Sequence, residues 1–352
     1  MLYKGKPRKQ FVQYFVGLLL VFLTTTATFV IWYDPQMCFS AVRPSNRIIP
    51  IIDSRLQKTN RLLQKVKTYD ALLLGSSRVE QFRQQDFAPR CVFNYAMVSF
   101  YPDEAEEYLD FFLRNNGGIQ PIVFFGLDFF SSNQRAYGHA KSPRHYIETC
   151  VAPAYAYKSI LNKDMLKYSY HIAKGVRELT MYDRVTLDKP TRTLSKEDSR
   201  NLLRKQLEIY ERTFYGDYRY NEKYATVLRE LKQRHRELKI IPFTTPISRE
   251  LFELLIKTGR LPDYERWLRD IVAVFGSVQH FMVIDRLTSD QGTFVDSHHA
   301  YPEKLAPLAR IISGRPLPED ADIGQLIDAG NIEAHLATVR EQAKRINLEK
   351  RP

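Results

Sequence analysis

The sequence predicts an α/β protein, a three-layer α/β/α sandwich around a parallel, flavodoxin-like sheet, carried on one N-terminal transmembrane helix. Three observations lead there. Short continuous apolar runs alternate with amphipathic helical patterns, which is how strands buried on both faces by crossover helices read. Residues 11–33 contain no charge and are long enough to cross a bilayer as a helix. The stretch 131–238 is helical in pattern, rich in Tyr, Arg and Lys, and too long for a simple crossover, so it reads as an inserted helical cap over the strand ends.

In chain order, Lys4, Lys6, Arg8 and Lys9 precede the apolar run, Trp32 and Tyr33 close it, and Asp34-Pro35 follow. Positive charge stays cytoplasmic and aromatic rings favour the interface. Residues 1–10 are therefore expected as a cytoplasmic tail and 11–33 as a single-pass anchor in the inner membrane, with the soluble body periplasmic or otherwise extracytoplasmic. The run exceeds the core of a signal peptide, which favours an uncleaved anchor. Residues 34–69 read as a stalk and a basic amphipathic helix over 53–69. The α/β domain is expected over 70–315, with strands at 71–74, 91–95, 121–127, 240–244 and 281–284. Helices are expected at 103–114, 249–257, 263–275 and 302–312. The tail, 316–352, reads as one or two exposed amphipathic helices.

With 352 residues, 44% of them hydrophobic and 26% charged, the chain buries a large core and has no disordered bias. Fifty-two Lys and Arg against 40 Asp and Glu leave a net charge of +12, which suits anionic surfaces such as phosphates, acidic glycans or lipid headgroups. The basic stretch 200–239 fits such a surface or is a wet helix face. Cys38, Cys91 and Cys150 have neither a zinc spacing nor the density of a disulfide framework. There is no phosphate loop or dinucleotide fingerprint. No metal, cofactor or nucleic acid is expected.

Ligands of an open parallel sheet sit beyond the carboxyl ends of its strands. Gly75-Ser76-Ser77 ends the first strand of the α/β domain, where a serine hydroxyl can enter the cleft. Serine is a weak nucleophile without a base. Late in the chain, Asp296-Ser297-His298-His299 lies on another loop before a helix. A carboxylate three residues before an imidazole can bond one ring nitrogen and leave the other to take the serine proton. Read blandly, Ser76-Ser77 and Asp296 are helix caps. The segment 214–220, Phe-Tyr-Gly-Asp-Tyr-Arg-Tyr, suits a sugar face or is a turn between two cap helices.

In LLLGSSR at 72–78 and DSHH at 296–299, with VFNYAMVSFYPDEAEEYLDFF at 92–112 and PIVFFGLDFF at 121–130 between them, the chain resembles the SGNH (GDSL-like) hydrolase and acyltransferase superfamily. The likeness is to its membrane-anchored branch, which includes the teichoic-acid D-alanyl-transfer protein and the alginate O-acetyltransferases. It spans 71–130 and 281–312 and leaves the cap unmatched. The resemblance implies Ser77 as nucleophile, His299 as base, with His298 the fallback, and Asp296 as the residue orienting the base. Ser76, Ala96, Ser99 and Asp128 fall around the oxyanion site. There the family offers a glycine N–H, where Ala96 or Ser99 stands, and an asparagine donor, where Asp128 stands. An ionised carboxylate only accepts hydrogen bonds. Asp128 is then protonated, or points elsewhere and orders the site, or marks a site without live chemistry. Two functions follow as expectations. One is a serine esterase or O-acyltransferase acting through an acyl-enzyme on a cell-surface polysaccharide, an acylated polymer or its lipid-linked precursor, with an integral-membrane acyltransferase as partner in some relatives. The other is a catalytically silent anchored factor that binds such a polymer during envelope assembly.

Overall fold

The structure, a computed structural model, describes residues 6–136, 141–176, 180–190, 194–316 and 323–349. Lys4, part of the N-terminal positive cluster, lies outside them, as do parts of the expected cap and tail. Eight strands are present among the described residues: β1 (Ile48–Pro50), β2 (Ala71–Leu74), β3 (Val92–Asn94), β4 (Ile122–Leu127), β5 (Met181–Asp183), β6 (Ile240–Thr244), β7 (Ser277–His280) and β8 (Gln325–Asp328). The protein is mixed α/β. Six strands form one sheet in the order β3-β2-β4-β6-β7-β8, and β1 and β5 form a separate antiparallel ribbon.

The chain divides into two compact units, Met1–Val66 with Arg144–Val185, and Lys67–Pro143 with Thr186–Pro352. The stretch 131–238, read from the sequence as one insertion, is thus shared between the units. A three-residue strand needs a partner to satisfy its backbone, and β5 supplies it to β1.

In the first unit, Lys6–Tyr33 is one helix, and Arg8–Tyr33 is apolar and long enough to span a membrane. It does not run into a loose stalk. Asp34, at φ 42°, accepts the Cys38 and Phe39 amides at 2.8 and 3.0 Å, and Arg184 donates to it at 2.6 Å with both side chains buried. The expected helix 53–69 is shorter, Ser54–Leu63, and Asp53 caps it through the Arg55 and Leu56 amides.

In the second unit, β3, β2, β4, β6 and β7 run parallel, and β8 is antiparallel to β7. Parallel strands end on the same edge, so the residues after Leu74, Asn94, Leu127 and Thr244 are brought together from separate parts of the chain. Leu73, Phe124 and Phe243 pack in one cluster with Phe82, Phe87, Leu308 and Ile312. Phe93 packs instead on Tyr69, Tyr95 and Phe112 of the helix Ala105–Asn115. Pro242 supplies no N–H to the sheet, and the ladder between β6 and β7 is short, Phe243 opposite Gln279.

Two expectations are corrected. The strand expected at 281–284 lies at Ser277–His280, because the Phe281 and Met282 amides bond the Thr244 hydroxyl, at 2.8 and 3.2 Å, rather than a neighbouring strand. The tail holds one of the expected amphipathic helices and is not helical throughout. It adds β8 to the sheet edge, and the helix Ile332–Glu349 buries Ile332, Leu336, Val339 and Ala343 at helical spacing.

Glycine is required where β2 and β4 end side by side. A Cβ on Gly75, at φ +148°, would lie 2.5 Å from Val79 Cγ2, and one on Gly126 would lie 2.3 Å from the same methyl. Overpacking of this kind costs about 1–3 kcal/mol. Gly126→Ala is expected to lower stability by that amount in urea unfolding followed by circular dichroism; an unchanged midpoint would show that the strand ends have slack.

Candidate active site

Strand order reverses at β2, with β3 on one side and β4 on the other, and such a switch point opens a crevice at the carboxyl edge. Ser77 follows β2 there. The base arrives on the loop 293–301, which is tightly built. Phe294 and Ala300 form a β-bridge, the Val295 amide donates to the His299 carbonyl at 2.8 Å and the Tyr301 amide to the Thr293 carbonyl at 2.8 Å. The Ser248 amide, at a helix start, donates to the Ser297 carbonyl at 2.9 Å.

Within that loop, Asp296 Oδ1 accepts the amides of His298 and His299 at 2.9 and 2.8 Å. Its Oδ2 lies 2.7 Å from His299 Nδ1. His299 Nε2 lies 2.9 Å from Ser77 Oγ, across 222 residues of sequence. A carboxylate only accepts, so Nδ1 carries the proton of the neutral ring, and the lone pair on Nε2 faces the serine hydroxyl. This is the geometry of a general base oriented by a carboxylate and aimed at a nucleophile. Burial alone would raise the Asp296 pKa. The two neighbouring imidazoles and the hydrogen bonds from His299 and the His298 amide outweigh it and hold the carboxyl well below its ordinary range.

Ser77 Oγ is met by His299 rather than by His298, the fallback base. The His298 ring is buried, its Nδ1 bonds the Ser297 hydroxyl at 2.9 Å, and it packs at a tilt against His299 at 4.1 Å and Tyr210 at 5.2 Å. Burial, and then His299, push its pKa well below that of free histidine. It therefore stays neutral as a support beside His299.

Of the residues around the expected oxyanion site, Ser76 is buried and its hydroxyl accepts the Arg78 amide at 3.3 Å. The Ala96 amide is engaged by Asn94 Oδ1 at 3.1 Å. Ser99 is exposed at φ 50°. The Ser77 amide donates to no acceptor among the described residues. Asp128 points into a buried ion pair, with Arg78 Nη1 at 3.2 Å, and it also accepts the Thr245 hydroxyl. Arg78 Nη2 reaches the Tyr210 hydroxyl at 2.6 Å, and its guanidinium lies over the Phe130 ring. Of the three roles open to Asp128, the geometry fits the second, a carboxylate that orders the site. Arg78, Thr245 and Tyr210 were not foreseen as site residues. Arg78 and Asp128 each follow a strand end, which was the available signal; Tyr210 gave none.

Asp296, His298 and His299 are the group among the described residues whose possible metal-ligating atoms converge, within 4.8 Å of one another. His299 Nδ1 and Asp296 Oδ2 bond each other and His298 Nδ1 bonds the Ser297 hydroxyl. On another side of the 293–301 loop lies a cavity of about 500 Å³ lined by Ser195, Lys196, Ser199, Arg200, Asp290 and Tyr301, among others, with no member of the relay in its wall. The Ser199 hydroxyl bonds the Val295 carbonyl at 3.1 Å. The aromatic segment 214–220 is a packed turn, with Tyr215 and Tyr220 buried and Tyr218 stacked on Phe129 at 5.3 Å.

No protein-family model matches this chain, and no curated protein matches its sequence.

Two outcomes test the electrostatics. The depressed Asp296 pKa means that its contribution to stability is present above the unfolded-state value, about 3.9, and is lost as pH falls below it. Wild type should lose more stability between neutral pH and pH of about 3 than Asp296→Asn does; parallel acid-unfolding curves would refute this. Removing one partner of a buried ion pair costs about 3–5 kcal/mol. Asp128→Leu should show that loss in urea unfolding, and Arg78→Met/Asp128→Leu should recover most of it.

Proposed function

We propose that this chain is a membrane-anchored, SGNH-like serine esterase or O-acyltransferase that acts on a cell-surface polysaccharide or its lipid-linked precursor. One observation carries the reading: the unbroken relay from Asp296 through His299 to Ser77, formed by segments far apart in sequence. The order of β3, β2, β4, β6 and β7 supports it, since in chain order this is the 2-1-3-4-5 arrangement of flavodoxin-like sheets, and a three-layer α/β/α sandwich follows as part of the reading. The apolar N-terminal helix supports an inner-membrane anchor with its N-terminus cytoplasmic and the catalytic body outside.

In this mechanism His299 Nε2 takes the hydroxyl proton as Ser77 Oγ attacks the acyl carbonyl. The resulting imidazolium returns the proton to the departing alcohol, leaving an acyl-serine. A glycan hydroxyl or water then attacks, His299 again moving the proton. The Ser77 amide is the backbone donor available to the oxyanion. Arg78 offsets the charge of Asp128, so the developing anion would not face an unbalanced carboxylate. The cavity bordering the 293–301 loop mixes hydroxyls and charged groups with Leu194, Leu203 and the rings of Phe294 and Tyr301, a combination that suits a sugar. An integral-membrane acyltransferase that supplies the acyl group belongs to the same proposal.

The rival, an anchored factor without catalysis, draws on Asp128 standing where an asparagine donor would be. A fluorophosphonate probe separates the two. Wild type should be labelled covalently, Ser77→Ala not at all, and Asp296→Asn with a rate lower by about 10⁴-fold. Absent labelling of folded wild type, or labelling that persists in Ser77→Ala, would overturn the assignment.

A further inference from the structure

The membrane helix has one face that is not exposed. Leu23, Thr26, Ala27 and Val30, at i, i+3, i+4 and i+7, are partly or wholly buried, while Val21 and Phe22 beside them are 64% and 63% exposed. The helices Tyr155–Ile160 and Lys163–Ala173, in the same unit, pack against this helix. From Leu23 to Tyr33 is ten residues, about 15 Å of helix, and the hydrocarbon layer is about 30 Å thick. The partly or wholly buried positions of the described helix all lie in 23–33, its last third, so the two helices packed on it lie beside the end of the span that the proposed anchoring puts at the outer headgroups.

The outward side of that segment is suited to such a place. The helix Lys163–Ala173 turns Met165, Ser169 and Ile172 inward. Its opposite side carries Lys163, Leu166, Lys167 and Tyr170, continued by Lys174, all exposed. Lys174 Nζ lies 5.7 Å from the Tyr170 ring, which places both on one face. Tyr157 (72% exposed), Lys158 and Leu161 (61%) repeat the combination on the preceding turn. Between Tyr155 and Lys174 there are four lysines against one acid, Asp164. Exposed tyrosines and leucines interleaved with lysines would be a poor wet surface, whereas at an interface the rings and aliphatic stems bury among headgroups and the ammonium groups meet lipid phosphates.

We propose that residues 151–174 form an interfacial shelf that lies in the bilayer surface beside the transmembrane helix and binds anionic phospholipid headgroups. The commitment is to lipid because the helices that carry this face pack against the apolar N-terminal helix and the face holds four lysines against one acid. This inference rests on the proposed membrane anchoring of Lys6–Tyr33 and is independent of the acyl-transfer chemistry.

The test uses the full chain, purified alone into nanodiscs of phosphatidylcholine and phosphatidylglycerol that include a phospholipid with a photoactivatable diazirine near the glycerol. Adducts mapped by mass spectrometry are expected in 151–174 as well as in 6–33. Replacing phosphatidylglycerol by phosphatidylcholine, or substituting Lys158→Glu/Lys163→Glu/Lys167→Glu/Lys174→Glu, should lower adducts in 151–174 several-fold and leave those in 6–33 unchanged. Adducts confined to 6–33 in the wild-type chain would overturn the proposal and leave the face to a protein partner. Equal yields with and without anionic lipid would overturn the headgroup assignment.

Discussion

One carboxylate with two separately employed oxygens holds the candidate site together. Asp296 Oδ1 is occupied by two main-chain amides, which fixes the loop, and Oδ2 is left with one task, the imidazole of His299. The ring cannot rotate away from Ser77 without giving up a charge-assisted bond, and the carboxylate cannot follow it without releasing the loop. Ser77 is placed by different means, the end of a buried strand with glycine at the turn. The two rigid parts meet at the edge where parallel strands terminate together.

A second carboxylate at the same edge has the opposite fate. Asp128 sits in the buried interior with Arg78, and the cation comes from the residue directly after the candidate nucleophile. Two unlike charges fully removed from water are held by their hydrogen bonds as much as by attraction, and here Thr245 and Tyr210 supply further bonds. A residue that looks hostile to a developing anion when read alone is thereby neutralised by its neighbour. Side-chain pairing across adjacent strand ends decides this, and no local pattern in the chain reveals it.

The parts of the protein that could be read from sequence are those whose signal is local. Ala71–Leu74 and Ile122–Leu127 are continuous apolar runs because both faces of a central strand are covered, and Arg249–Lys257 has the spacing of a helix with one buried side. The Ser77, Asp296 and His299 assignment rested on a serine at a strand end, a carboxylate three residues before an imidazole and motif resemblance, and the structure brings those three side chains into contact. What failed to show depends on contacts at a distance. The strand Ser277–His280 is polar and alternating, and the apolar residues after it lost their strand character to one threonine hydroxyl. The strand Gln325–Asp328 acquires meaning only beside its partner, and the ribbon formed by Ile48–Pro50 and Met181–Asp183 is too short to carry a period.

The ion pair between Asp34 and Arg184 closes the helix Lys6–Tyr33 against folded chain within one residue of its last turn. A helix ended in this way works as a mast stepped into a socket rather than as a string. Helices longer than the hydrocarbon layer tilt to fit it, so under the proposed anchoring a change in bilayer thickness would rotate the first unit with the helix instead of being absorbed by slack in a tether.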